Sequence, residues 1–367
     1  MFIEKLILSN YRNYLRETFD FVDGVNVISG NNAQGKTNAA EAIFYLCTGW
    51  SPRVSRDKQV INRNANSARI EAFARSSLGK VSVSVDFFDK ESKKICVNGV
   101  PVQKTGELLG NINSVMFDPQ QLKLVQESPE DRRRFMDLAL SQTDRKYFYA
   151  LQKYRKILQQ RNVLLKDPDK ELALSTLPVW DEQLSAVAAE IVFARNEFIG
   201  RIKPLCEKAH SDITGGEEKL EVFSESGFSG SVQEIKDALR AEYLKNMEKD
   251  IEAGFTTAGP HRDDIKIKIN DYDARVYGSQ GQQRTAALSL KIGELGVFKQ
   301  KFGEYPVLIL DDAMSELDRG RRKKLLEFLK GIQTVITCTD ADDELLGFAD
   351  KVFFVEKGNV KNLIENG

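Results

Sequence analysis

Alternating apolar positions open the chain and return near its end, and a helical period fills its middle. Ile3, Leu6 and Leu8 mix with polar neighbours, Phe19-Asp20-Phe21 follows, and Val25-Asn26-Val27-Ile28 is a short apolar run. The pattern predicts strand, turn and strand. Asp23-Gly24 supplies a turn before the last run. Beyond Gly30-Asn31-Asn32, residues Ala40, Ile43, Phe44 and Cys47 recur at three- and four-residue spacing. That spacing predicts a helix from near Lys36. Residues 69–97 predict more β structure, since Val81, Val83 and Val85 alternate with serines, and Asn98-Gly99 is a hairpin turn.

The period then changes. Tyr147, Leu151, Tyr154, Leu158, Arg161 and Leu165 follow a 4-3-4-3-4 spacing, which Trp180, Leu184, Val187, Ile191, Ala194 and Phe198 repeat. Each set lies on one stripe of a helix. The stretch from Asp167-Pro168-Asp169 to Pro178 reads as a polar break between them. Together they predict an antiparallel helical hairpin with a coiled-coil-like seam, weakened by the charge of Arg161. Residues 211–231, with several Gly and Ser, are expected to form a loop, and 232–249 read as helical. From about residue 254 short strands return. Ile265, Ile267 and Ile269 alternate with polar residues, and Val307-Leu308-Ile309-Leu310, 334–337 and 352–355 are apolar runs too short for helices. The expected fold class is α/β, a head with a mixed sheet in two parts, 1–125 and 251–367, split by an inserted helical arm at 126–250. No repeat of 20–50 residues is evident.

The first stretch with chemistry is Gly30-Asn31-Asn32-Ala33-Gln34-Gly35-Lys36-Thr37, a full match to GxxxxGK[ST] between an apolar strand and a helix. Backbone N–H groups of such a turn converge on an anion. Gly30 and Gly35 permit close backbone approach, Lys36 brings a point charge to the β- and γ-phosphates, and Thr37 offers a hydroxyl to Mg²⁺. Residues 30–38, from Gly30 through Asn38, are therefore expected to hold ATP. Val307-Leu308-Ile309-Leu310-Asp311-Asp312 is an apolar strand ending in two acids. In a parallel sheet it delivers them to the edge where ligands bind. Asp311 is the expected Mg²⁺ carboxylate, with Thr37, and Asp312 the group that polarises the attacking water. Lys36, Asp311 and Asp312 form the catalytic set.

Tyr277-Gly278-Ser279-Gln280-Gly281-Gln282-Gln283-Arg284 opens another helical run. It resembles the ABC signature, whose Ser and Gly bind the γ-phosphate held by a second subunit. Ser315-Glu316-Leu317-Asp318 is similar to the D-loop of that class. The order also matches: phosphate loop, signature, acidic strand, D-loop.

Composition alters this picture little. The chain has 367 residues, 29% charged and 41% hydrophobic, with a net charge of −1. That is a globular balance, and no apolar run reaches the ~20 residues that span a bilayer. Cys47, Cys96, Cys206 and Cys338 are far apart, and they and the two histidines lack metal-ligand spacing. Reduced cysteines in a cytoplasmic setting are expected. Between Asp131 and Lys166, however, ten Lys/Arg face three Asp. Arg132, Arg133 and Arg134, with Arg145, Lys146, Lys153, Arg155, Lys156 and Arg161, are candidates for phosphate-backbone contacts with DNA. A solvated helix face explains them equally well. His261 and Arg262 line either a DNA groove or a turn where the chain re-enters the head.

Several strings together resemble the RecF family of SMC-type ABC ATPases, at matching order and spacing over nearly the whole chain. They are Asn10-Tyr11-Arg12-Asn13-Tyr14, the phosphate loop, Ser128-Pro129-Glu130-Asp131-Arg132-Arg133-Arg134-Phe135-Met136-Asp137, Gly259-Pro260-His261-Arg262-Asp263-Asp264, Ser279 to Arg284, and Leu310-Asp311-Asp312 to Asp318. The resemblance implies an ATP- and Mg²⁺-binding protein of replication and recombinational repair. It implies a homodimer formed head to head around two ATP molecules, DNA binding (single- or double-stranded, gapped), and action with RecR and RecO to direct RecA onto gapped DNA. No membrane partner is implied, and hydrolysis, weak and DNA-dependent, resets the clamp. By position, Ser279, Gly281 and Gln282 serve the partner subunit's ATP, and Arg12 and Asn13 lie near the nucleotide.

The chain departs from the wider ABC pattern at three places. Asp312 stands where most such enzymes carry Glu, and is shorter by one C–C bond, roughly 1.5 Å. Gln280 stands where the signature usually has Gly. No histidine follows residues 334–337, so Thr337, Thr339 or Asp340 fills the switch position. The Gln-loop residue is open among Asp118, Gln120, Gln121 and Gln126. Two other classes remain, a transporter ATPase subunit and an ATP-binding scaffold without productive hydrolysis. The inserted arm opposes the first and the paired acids the second.

Overall fold

The computed structural model describes residues 1–119, 124–339 and 341–365. The chain opens with β1 (Phe2–Tyr11), β2 (Tyr14–Asp20), β3 (Val25–Ser29) and the helix α1 (Lys36–Thr48). Next come β4 (Ser67–Ser76), β5 (Gly79–Phe88), β6 (Lys94–Val97), β7 (Val100–Val102) and β8 (Ser114–Phe117). The middle holds α2 (Pro129–Thr143), α3 (Arg145–Leu165), α4 (Lys170–Thr214), β9 (Leu220–Ser224), α5 (Val232–Lys245) and α6 (Met247–Ala253). The remainder is β10 (Ile265–Ile269), β11 (Tyr272–Asp273), α7 (Ala274–Tyr277), α8 (Gln280–Phe302), β12 (Val307–Asp311), α9 (Arg319–Phe328), β13 (Thr334–Cys338), α10 (Asp343–Phe348), β14 (Lys351–Glu356) and β15 (Asn359–Glu365).

The central sheet runs β15-β14-β3-β13-β12-β8, parallel except where β15 turns back along β14. Its strands β3, β13, β12 and β8 are buried throughout, so they read as continuous apolar runs. In β12, Val307 and Ile309 face one core, and Leu308 and Leu310 the other. On the first face α1 lies between this sheet and an antiparallel sheet of order β2-β1-β4-β5-β6-β7. On the second face, α2, α3, α4 and α8 share one continuous core with the sheet. The inserted helices therefore pack into the head as well as against each other. The fold is the α/β head with an inserted helical segment that the sequence predicts.

Three expectations about the middle need correction. The polar break ends at residue 169 rather than at Pro178, which lies inside α4. An interior proline forfeits a helix hydrogen bond, but Leu177, Asp181 and Leu184 around it are buried, so packing holds the helix. Residues 211–231 are not simply a loop. The helix α4 runs to Thr214, and β9 pairs antiparallel with β10 through buried Leu220 and Val222. Arg161 does not weaken the seam. It is fully buried, donating from Nε to Asp181 (2.6 Å) and from Nη1 to Asp250 (2.7 Å) and Thr256 (2.8 Å). It ties α3, α4, α6 and the segment after α6 together.

Candidate functional site

Parallel strands put their C-terminal ends on one edge, and the site grows from that edge. In register, Asp311 at the end of β12 lies beside Thr337 of β13, and Thr337 beside Ile28 of β3. The phosphate loop leaves β3 and enters α1 at Lys36. Its bend needs positive φ at Gly30 (147°), Ala33 (64°) and Gly35 (126°). A Cβ at Gly35 would lie 2.8 to 2.9 Å from Asn13 and the Tyr14 hydroxyl, closer than real carbons come, so only glycine fits. The loop is held from behind. The Tyr14 hydroxyl donates to the Gly35 carbonyl (2.9 Å) and Asn13 Nδ2 to the Gln34 carbonyl (2.6 Å). Asn38 Nδ2 donates to Asn13 Oδ1 (2.8 Å). The turn between β14 and β15 closes over it, with the N–H of Lys357 on Gln34 Oε1 (2.6 Å).

Lys36 is buried, and its Nζ donates to the carbonyls of Gly30 (2.6 Å) and Asn31 (3.0 Å). The ammonium thus spans the loop from within. Asp311 accepts from the Thr337 hydroxyl at 2.6 Å. Burial pushes its carboxyl above the usual range, the Thr337 and Thr37 hydroxyls pull it back, and the neighbouring Asp312 raises it. The Thr37 hydroxyl and the Asp311 carboxylate lie beside each other at the loop. Hard oxygen donors of this kind suit Mg²⁺, which takes few protein ligands and completes its shell with phosphate and water. Asp312 sits at φ 52°, ψ 13°, and its N–H donates to the Thr337 carbonyl (3.2 Å) and Oγ1 (3.1 Å). Asp tolerates that left-handed conformation better than most residues.

Arg12 and Asn13 reach the loop differently. Asn13 touches it. Arg12 makes two bonds to Glu41 on α1, from Nε (2.9 Å) and Nη2 (2.6 Å). Burial alone lowers the Arg12 pKa, and Glu41 reverses this so that it is raised. Glu41, fully buried, also accepts from Ser51. Glu41 and Arg53, whose Nη1 donates to Asn38 (3.0 Å), escaped the sequence reading. Only the helical spacing from Thr37 to Glu41 pointed that way. Among the switch candidates, Thr337 supports Asp311 and Thr339 donates to Asn32 Oδ1 (3.0 Å). Asp340, Gln120 and Gln121 lie outside the described residues. Gln126 donates to Gln283 of the signature helix (2.5 Å).

The signature turn is built elsewhere in the chain. Ser279, exposed, caps α8 by accepting from the Gln282 N–H (3.2 Å), and Gln282 Oε1 accepts from the Ser279 N–H (2.9 Å). This reciprocal capping explains the Ser–x–x–Gln spacing. The hydrogen bonds of Ser279, Gly281 and Gln282 run to one another, to Thr285 and to Glu218.

The basic cluster is corrected by the structure. Arg132 is buried and paired bidentately with Asp264 (2.6 and 2.8 Å), so it is spent within the fold. Arg133 donates to the Asp263 carbonyl (2.7 Å), and the exposed Arg134 lies 3.9 Å over the Trp50 ring. Asp137 and Asp263 both pair with Arg195. The two strings SPxxRRRFxD and GPHRDD therefore meet and lock the point where the chain re-enters the head. His261 belongs to that lock, within 2.5 Å of the Tyr154 hydroxyl and 2.9 Å of the Thr256 carbonyl, and burial lowers its pKa to about 4. Arg161 is buried as described. Arg145, Lys146, Lys153, Arg155 and Lys156 are exposed on α3, with Arg145 donating to the Leu109 carbonyl (2.8 Å) and Arg155 near Asp137 (3.7 Å).

A phosphate loop on a parallel sheet, an acidic strand two places away, a signature turn and an inserted helical segment define an ATP-binding head of the SMC type within the ABC ATPases. The family described as "RecF/RecN/SMC N terminal domain" matches residues 2–361. The "DNA replication and repair protein RecF" of Alkaliphilus oremlandii is 44% identical over 98% of this chain and 100% of its own length. That of Ruminiclostridium cellulolyticum is 40% identical over 98% and 99%. Two solved structures of "the recombination mediator protein RecF" in the RecFOR pathway, RecF-ATPrS and RecF-ATP, superpose with TM-scores of 0.91 and 0.89 at 34% and 35% identity. Each covers 99% of this chain, and 98% and 97% of their own. The Smc head domain of Pyrococcus furiosus shares the fold, at TM-score 0.58 and 18% identity over 99% of this chain and 96% of its own. The chain belongs to the RecF family of DNA replication and repair proteins.

Proposed function

We propose that this chain is an ATP-gated DNA clamp of recombinational repair. ATP with Mg²⁺ binds the phosphate loop through Lys36, Thr37 and Asp311. A second copy presents Ser279 and Gly281 to the γ-phosphate, so two heads close around two nucleotides. The observation that carries this reading is the split of the site. The phosphate, Mg²⁺ and water-polarising groups share one sheet edge, while the exposed signature turn makes its hydrogen bonds away from them. Two copies complete what one lacks. Closed heads bring two α3 helices to DNA, where Lys146, Lys153 and Lys156 neutralise phosphates without reading sequence. DNA at a gap, RecR and RecO are the proposed partners, and RecA loading the outcome. Relatives titled as RecF of the RecFOR pathway support that assignment. Hydrolysis is weak and DNA-dependent, and it reopens the dimer. Asp312 polarises the water, and its short side chain keeps turnover slow.

Sedimentation with duplex DNA, with and without ATP–Mg²⁺, tests this. A DNA-bound dimer is expected only with ATP–Mg²⁺, and a monomer that ignores DNA in both conditions would overturn it. Asp312→Asn is expected to lower turnover by at least ~10²-fold, the scale of a lost general base, yet to keep the ATP-dependent dimer. Equal turnover in variant and parent would remove Asp312 from that role. Replacing Lys146, Lys153 and Lys156 together by Ala is expected to flatten the slope of log affinity against log salt by roughly 0.9 per lost phosphate contact. An unchanged slope would move the DNA surface away from α3.

A further inference from the structure

The helix α4 packs along α8, the helix that the signature turn opens. At 45 residues and 1.5 Å each it is roughly 67 Å long, and it links the α3 hairpin to α8. The contact is close, because a Cβ at Gly293 would collide with the Cys206 sulfur of α4. Near the end of α4, His210 is fully buried, with Nδ1 3.1 Å from the Ser289 hydroxyl of α8. That hydroxyl donates to the Thr285 carbonyl (2.8 Å), so Nδ1 carries a hydrogen and donates to it. The other ring nitrogen, Nε2, lies 3.2 Å from Glu218 Oε2, and neither atom is hydrogen-bonded, since with the hydrogen on Nδ1 both are acceptors. Glu218 Oε1 in turn accepts from Gln282 Nε2 at 3.0 Å. Gln282 is the residue whose amide oxygen and backbone N–H hold Ser279 in its cap. Because Ser279 Oγ accepts from that N–H, its own hydroxyl hydrogen is left to donate, as an anionic phosphate oxygen requires. From the opposite side, Arg321 of α9 donates Nε to Thr285 (2.6 Å) and pairs with Asp318.

We infer that Glu218 is a positioning residue for the signature turn, coupling the segment that follows α4 through Gln282 to the Ser279 hydroxyl that meets a second copy's nucleotide. It rests on the ATP-dependent dimer proposed above. Glu218 touches neither the phosphate loop nor Asp311, so it acts on the in-trans half of the site alone. A shift of the segment that follows α4 reaches Ser279 by Glu218 and Gln282, in that order.

The test separates the two halves. ATP affinity of the monomer is measured at protein concentrations too low to dimerise, with a fluorescent ATP analogue, and the ATP–Mg²⁺-dependent dimer by sedimentation. Glu218→Ala is expected to leave monomer affinity within about twofold and to weaken the dimer about tenfold or more, the scale of one charge-assisted hydrogen bond. Glu218→Gln keeps an oxygen that accepts from Gln282, and is expected to restore most of the dimer. Should Glu218→Ala not fold, Glu218→Leu serves in its place, since it fills the same space and cannot accept from Gln282. A dimer of parental strength in Glu218→Ala or Glu218→Leu, or equal loss in Glu218→Ala and Glu218→Gln, would overturn the proposal. A parent chain that stays monomeric with ATP is a different result, and overturns the dimer reading and this coupling together.

Discussion

Lys36→Ala is expected to lose ATP-dependent dimerisation altogether at concentrations where the parent is dimeric. The Lys36 ammonium sits across the phosphate loop on the carbonyls of Gly30 and Asn31. A phosphate that enters takes over those bonds and gains a unit of positive charge at contact distance. A hydrogen bond between charged groups contributes about 1.5–3 kcal/mol, which is about ten- to a hundredfold in affinity. A head-to-head dimer uses two such sites, so the loss is taken twice and reaches about 10²- to 10⁴-fold. The loop itself should survive the change. Tyr14, Asn13 and the Lys357 turn hold it from behind, and none of them uses Lys36. Equilibrium ATP binding and sedimentation on a variant with a parental melting temperature check both halves. Retained ATP-dependent dimers would sink the assignment of the loop.

Much of this site was legible because its chemistry is local. The loop needs glycine at two bends, a lysine and a hydroxyl within eight consecutive positions, and no distant residue can supply them. The acidic strand was legible because burial on both faces leaves an unbroken apolar run before Asp311. The supports were not legible. Glu41 looks like any polar position on an amphipathic helix until Arg12 and Ser51 are seen to converge on it. Glu218 lies in a Gly-rich segment, and its partners are eight residues behind it and sixty-four ahead. Strand β9 was hidden for a related reason. Five residues carry too short an alternation to stand out between glycines and serines, and pairing with β10 makes them a strand.

Charge was the least transferable signal. The run Arg132-Arg133-Arg134 reads as a basic patch in sequence, yet a helix points consecutive residues in different directions. Arg132 faces inward to Asp264, Arg133 reaches a backbone carbonyl, and Arg134 lies on Trp50. The partners of Arg132 and Arg133 come from GPHRDD, a string about 130 residues later, and only the fold brings the two together. The same run that suggested DNA is thus the joint between the inserted helices and the head, and the exposed lysines of α3 inherit the DNA role in the proposal.

The strongest expected effect on folding lies in that same region. Arg161→Met is expected to cost about 3–5 kcal/mol, the usual result of removing one partner from a buried ion cluster. The guanidinium is fully buried between Asp181 and Asp250, which are themselves buried. Burial by itself lowers the arginine's pKa, and the two carboxylates overturn that and raise it. Burial already raises the Asp181 carboxyl, against the pull of Arg161. Without the arginine the Asp181 carboxyl loses its ion-pair partner in a poorly solvated place, and its folded-state pKa rises further above the unfolded value of about 3.9. The folded variant then binds more protons than its unfolded chain, so its stability rises as pH falls. The deficit against the parent should therefore be large at pH 8 and smaller at pH 5. Changing Asp181→Leu and Asp250→Asn along with Arg161→Met removes the stranded charges and should recover most of the loss, while Asn at 250 can still accept from the Thr257 N–H that Asp250 holds at 3.0 Å. Denaturant melts of the single and triple variants at both pH values decide the matter. A single variant as stable as the parent, or one whose deficit grows toward pH 5, would show that the cluster does not hold α3, α4 and α6 together.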